Sequence, residues 1–169
     1  MRVLMISVLC SSYIISQIPE SGPPPDPRVL VASAYDSNSN RIIYLGGEGL
    51  KGGYDLSSTL YGYNLNTFTW AKIPSKMGIV PPGLKDTNIY FRKSDNKIFV
   101  FGGLTTKGAN TVVYSFDLKR FFWNVEIMSG DVMDSTTRSS LSFFNYNETE
   151  YIALYGGYSE RGLIDDFYL

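Results

Sequence analysis

Two adjacent glycines close three related strings in this chain, and that recurrence constrains the fold more than any other feature. Arg41-Ile42-Ile43-Tyr44-Leu45-Gly46-Gly47 returns as Lys97-Ile98-Phe99-Val100-Phe101-Gly102-Gly103, and again as Tyr151-Ile152-Ala153-Leu154-Tyr155-Gly156-Gly157. The first glycines of the doublets lie 56 and 54 residues apart. Self-similarity at such a period means that one supersecondary unit is copied, and that the copies stack to bury a shared core. Other marks keep step. Tyr61 precedes Trp70 by nine residues, and Tyr114 precedes Trp123 by nine. Tyr114 follows Gly103 by eleven, as Tyr168 follows Gly157. A cation opens each unit: Arg28, Lys85 and Arg138 stand 18, 17 and 18 residues ahead of the first glycine.

Each unit reads as four short strands. In the first, a strand from Arg28 to about Tyr35 turns through Asp36-Ser37-Asn38-Ser39-Asn40 into a second from Arg41 to Gly46. The matching turns are Lys93-Ser94-Asp95-Asn96 and Asn147-Glu148-Thr149-Glu150. Polar clusters of this kind between β-branched and aromatic runs mark hairpins. Third and fourth strands follow around Tyr61 and Trp70, and around Tyr114 and Trp123. No stretch holds a 3.6-residue apolar period, so no substantial helix is expected. The second strands are apolar on both faces, which a sheet covered on one side would not be. Stacked four-stranded meanders cover both faces, and units of this length match the blades of a β-propeller. The glycine doublet is expected to end the second strand, where a positive φ and close backbone approach are needed. The units span about 28–73, 85–127 and 138–169.

The pattern resembles the Kelch repeat. The resemblance rests on the glycine doublets, the Tyr and Trp pairs nine residues apart, and the cation after the proline-rich run Pro23-Pro24-Pro25-Asp26-Pro27-Arg28. It covers residues 18–169. The chain departs from the family by lacking the His that often follows the Arg, by carrying Lys85 where Arg is usual, and by a loop three residues longer after Gly47. The resemblance implies an all-β, Kelch-type β-propeller fragment built of four-stranded antiparallel blades. The third unit's Trp would lie beyond Leu169, so the expectation is a partial ring that needs further blades in cis or self-association. It also implies a non-catalytic scaffold that binds a partner protein through loops at one end of the blades, at residues 48–58, 104–110 and 158–163, with the interblade loops 74–84 and 128–137 beside them. Glu48, Lys51, Tyr54, Asp55, Lys107, Asn110, Glu160 and Arg161 are the contact candidates on those loops. Arg28, Lys85 and Arg138 would stand near the central channel, either bonding blade carbonyls and acidic neighbours or forming a basic mouth for an acidic ligand.

Composition removes several chemistries. With no histidine, the chain has no Ser-His-Asp or Cys-His catalysis and no His-ligated metal. With one cysteine, Cys10, it has neither an internal disulfide nor a multi-thiolate site. A net charge of -1 leaves no electrostatic footprint for nucleic acid. No cofactor or metal is expected. The alternative reading is a fragment of a Kelch-like propeller enzyme, or of a secreted carbohydrate-binding propeller, with the active part outside this chain. Gly47-Glu48-Gly49-Leu50-Lys51-Gly52 fits a dinucleotide fingerprint, but a strand rather than a helix is expected after it. Two readings fit residues 1–17. A cation, a short apolar run and small residues make a signal peptide, which would remove Met1 to Ser12 and send the protein out of the cell. The β-rich run ending at Pro19 instead makes an outer strand of a cytoplasmic protein. The run is too short to span a membrane. Asn147-Glu148-Thr149 is an N-glycosylation sequon.

Overall fold

β-branched and aromatic residues fill short runs between polar turns, and strands are what those runs form. The computed structural model describes residues 3–9, 12–18, 21–50, 55–75, 77–129, 137–159 and 161–169, and no helix occurs among them. β1 (Val3–Leu9) and β2 (Ser12–Ile18) pair as an antiparallel hairpin. β3 (Arg28–Asp36), β4 (Arg41–Gly49), β5 (Leu60–Asn64) and β6 (Thr69–Ile73) form a four-stranded antiparallel meander in chain order. The second sheet takes β7 (Met77–Gly78), β8 (Asn88–Arg92), β9 (Lys97–Phe101), β12 (Val113–Asp117) and β13 (Phe122–Glu126). Its antiparallel meander is again four strands, and β7 adds a short parallel strand outside β13. Between β9 and β12 lies a small hairpin of β10 (Leu104–Thr105) and β11 (Gly108–Ala109). The third sheet holds three strands, β14 (Ser140–Tyr146), β15 (Thr149–Ser159) and β16 (Gly162–Tyr168).

The sheets stack face to face. Ala32, Ile43, Leu45, Leu60 and Ile73 of the first sheet pack with Ile98, Val100, Tyr114, Phe116 and Trp123 of the second in one buried cluster. The other face of the second sheet gives Tyr90, Phe99, Phe101 and Val113 to a second cluster with Leu154, against which Leu141, Ile152 and Tyr168 pack. The middle sheet is thus covered on both sides, as its doubly apolar β9 requires. In each fourth strand the Trp stands opposite an aromatic two residues past the marker Tyr: Tyr63 faces Trp70 at 5.0 Å and Phe116 faces Trp123 at 4.9 Å. Such tilted pairs add about 0.5–1.5 kcal/mol beyond burial.

The doublets do not end the second strands of the outer sheets. β4 runs on to Gly49 and β15 to Ser159, with the glycines inside. The second glycine does one job three times. A Cβ on Gly47 would lie 2.9 Å from the Val29 carbonyl oxygen, one on Gly103 3.0 Å from that of Lys85, and one on Gly157 2.7 Å from that of Thr137. All three glycines have positive φ, at 87°, 95° and 115°. The first strand therefore crosses each doublet at backbone contact, which a side chain would block.

Those contacts also set the true register of the units. Val29 pairs with Glu48, Lys85 with Leu104, and Thr137 with Tyr158, each partner two residues past its first glycine. Arg28, Lys85 and Arg138 accordingly sit one before, at, and one after the equivalent position. Their matching spacing arises because the third unit's turn is two residues, Asn147 and Glu148, where the others have four, with Thr149 and Glu150 already in β15. The residue after each equivalent position, Leu30, Asp86 and Arg138, has positive φ, at 58°, 52° and 58°.

The turn ends of the second and third sheets are linked by polar contacts. Arg92 pairs with Asp95 and lies 4.3 Å over the Phe99 ring. The guanidinium holds the Asp95 carboxyl below its usual range. The Tyr90 hydroxyl donates to Glu150, and burial followed by that bond pushes its pKa well above the usual phenol value. Burial raises Tyr44 and Tyr114 as well. A phenol whose folded pKa is raised keeps its proton longer in the folded state. Its contribution is complete below the unfolded value of about 10 and is lost as pH climbs through the folded value. The urea midpoint is therefore expected to fall steeply above about pH 10, and Tyr90→Phe is expected to flatten part of that fall.

Candidate functional site

Antiparallel meanders place the second strand's end, the third strand's start and the interblade linkers at one end of the stack. Backbone hydrogen bonds stitch that end together. The Gly47 N–H donates to the Leu84 carbonyl at 2.8 Å, Leu84 N–H to Ser57 at 3.1 Å, and Lys85 and Leu104 exchange bonds at 3.0 and 2.8 Å. Ser57 and Asn110 play one role in two units. Ser57 N–H donates to Gly47 O and Asn110 N–H to Gly103 O, and each side chain accepts the N–H two residues on.

The sequence candidates divide on this frame. Lys51, Tyr54 and Glu160 lie outside the described residues. Asn110 is buried, and its amide donates to the carbonyls of Gly102 at 3.0 Å and Val112 at 2.7 Å, so it braces its loop. Glu48 lies within β4, its carboxylate 2.7 Å from Lys85 Nζ, with both side chains under one-fifth exposed. Asp55 accepts Arg28 through its backbone oxygen at 2.8 Å and its carboxylate at 3.3 Å. Lys107 is exposed in the turn of the β10–β11 hairpin, and Arg161 is exposed in the tight turn between β15 and β16, 3.6 Å from Asp166. Residues 158–163 thus form a hairpin end rather than a free loop, with Tyr158 and Leu163 paired.

The channel-side cations meet carboxylates. Arg28 also donates to the Gly47 carbonyl at 3.2 Å. Lys85 of the second unit reaches Glu48 of the first, and Arg138 of the third reaches Asp86 of the second at 3.1 Å. Three cations against Asp55, Glu48 and Asp86 leave the mouth of this sector neutral, not basic, and two of the pairs tie neighbouring units together. Partly buried pairs of this kind are strongly coupled only when both members are present. Lys85→Met and Glu48→Gln are each expected to destabilise by about 1–2 kcal/mol, with the double substitution costing clearly less than their sum. Urea denaturation of the four proteins measures this.

Sequence reasoning passed over several residues that matter here. Leu50, Ile79 and Val80 sit on this end's loops and are 78 %, 63 % and 48 % exposed. Polar candidates had drawn attention instead, although exposed apolar side chains are the better signal of a contact face. Gly22 and Gly78 form another repeat mark, 56 residues apart. Both have positive φ, and each lies against its unit's Trp backbone, where a Cβ would meet the carbonyl oxygen of Trp70 at 2.3 Å or of Trp123 at 2.0 Å. Asn147, the sequon residue, is exposed in its turn with φ 47°.

The family described as the KLHDC2/KLHL20/DRC7 Kelch-repeats domain has a model that matches residues 4–169. The match takes in the β1–β2 hairpin as well as the three sheets. No curated protein matches the chain.

Proposed function

This chain belongs to the Kelch-repeat family, and on that premise we propose that its glycine-end loops form a docking face for a partner protein. Kelch-repeat domains are generally protein-interaction modules and non-catalytic scaffolds. The observation that carries the reading is the exposure of Leu50, Ile79 and Val80 on loops whose backbones are hydrogen-bonded to the doublets and to each other. A face held in place before binding loses little conformational entropy when it docks. Exposed apolar side chains on it are stabilised when a partner covers them. Lys107 and Arg161 contribute charge at the rim, where it selects partners more than it strengthens them. Loop identities differ from unit to unit while the strands repeat, as a scaffold with separate recognition loops requires.

The test compares two ends of one molecule. Proteins cross-linked to the wild-type chain in cell extract are compared with those captured by Leu50→Asp/Ile79→Asp and by Lys119→Glu, which lies in an exposed turn at the opposite end. The loop variant is expected to lose its specific partners by tenfold or more, and Lys119→Glu to keep them. Equal capture by all three would contradict the proposal.

A further inference from the structure

The two ends of the stack present sheet faces that no strand of the chain covers among the described residues. Pairing places Val31, Tyr44, Tyr61 and Trp70 on the leading face of the first sheet, around a hollow of about 360 Å³. It places Phe144, Tyr155 and Phe167 on the trailing face of the third, 41 %, 56 % and 62 % exposed. These faces correspond position by position to those that meet inside the chain. Tyr155 stands where Leu45 and Phe101 stand, one residue before the doublet, and both of those are buried against the next sheet. Tyr44 stands where Val100 and Leu154 stand, and both of those are buried against the preceding sheet.

A backbone relay runs through the same junctions. The Leu30 carbonyl accepts the Asp86 N–H at 3.3 Å, and the Asp86 carbonyl accepts the Arg138 N–H at 3.4 Å. All three residues are the equivalent positive-φ positions, so each sheet hands one hydrogen bond to the next.

We propose that a second copy of this chain covers both faces, head to tail, and that two copies close into a six-bladed ring. The trailing face of each copy would pack on the leading face of the other, with Leu30 of one following Arg138 of its partner in the relay. The argument is continuity: the chain already contains this junction twice, and each copy carries both halves of a third. Six blades fall within the four to eight that close a propeller. A head-to-tail contact that closes gives a finite ring, whereas one that does not close gives filaments.

Sedimentation velocity on the full chain at micromolar concentrations tests this. The expected mass is twice the 18.9 kDa of one chain. Tyr155→Arg, on the trailing face, and Val31→Glu, on the leading face, are each expected to weaken association at least a hundredfold. Mixing the two variants should restore a one-to-one complex, because one junction then joins two intact faces. Far-ultraviolet circular dichroism checks each fold, and Phe167→Arg replaces Tyr155→Arg if the latter is unfolded. A wild-type monomer across the range, a mass that grows without limit, or a mixture that stays monomeric would each overturn the proposal.

Discussion

Gly103→Ala is expected to destabilise the protein by about 2–4 kcal/mol, seen as a lower urea midpoint at unchanged slope. Two causes add. The residue has φ 95°, which an L side chain rarely adopts, and its new Cβ would sit 2.8 Å from Thr87 Cβ and 3.0 Å from the Lys85 carbonyl oxygen. Thr87 cannot retreat without cost, since its hydroxyl donates to the carbonyls of Phe101 at 2.9 Å and Gly102 at 3.3 Å. Gly108→Ala separates the two causes. Its φ is 124°, but no atom lies within 4 Å of its would-be Cβ. It should show the backbone strain alone, so Gly103→Ala should cost about 1–3 kcal/mol more. Equal costs would mean that the doublets are not points of backbone contact between first and second strands.

Trp123→Ala is the second large effect, at about 3–5 kcal/mol. Trp123 is 1 % exposed, its ring lies 4.9 Å from Phe116, and it belongs to the cluster joining the first and second sheets. Its removal opens a cavity at a sheet junction, and the backbone on its outer side is fixed by pairing with Gly78. Domains are stable by only about 5–15 kcal/mol, so either substitution takes a substantial fraction of the total. Trp123→Phe keeps the aromatic pair and should recover part of the loss. A Trp123→Ala protein with an unchanged midpoint would show that this side chain does not join the sheets.

The repeat was readable in the sequence because its marks answer to short-range physics. A doublet of glycines is required wherever one backbone crosses another with no room for Cβ, so Gly47, Gly103 and Gly157 survive in each unit. Trp70 and Trp123 stand out because a large ring fills the space between sheets. The cations were legible as residues but not as positions. Their spacing was counted through turns of unequal length, and the two-residue turn at Asn147 and Glu148 cancelled a register difference that only strand pairing displays. Asn110 and Glu48 looked like loop residues available for contact. Their burial follows from the strands running past the doublets and from bonds to Gly102 and Lys85, partners 8 and 37 residues away that no local pattern announces. Leu50, Ile79 and Val80 were missed for the opposite reason. Apolar residues in a β-rich chain read as core until the sheet faces are assigned.

The claim beneath all of this is that successive units stack face to face, each sheet's apolar faces covered by its neighbours. Methyl-to-methyl nuclear Overhauser contacts in the selectively labelled chain measure it directly. The account predicts cross-peaks joining Ile43 and Leu45 of the first sheet to the Ile89, Ile98 and Val100 methyls of the second, within the one cluster that holds them. Methyl contacts confined within each sheet, with none across the junction, would contradict it.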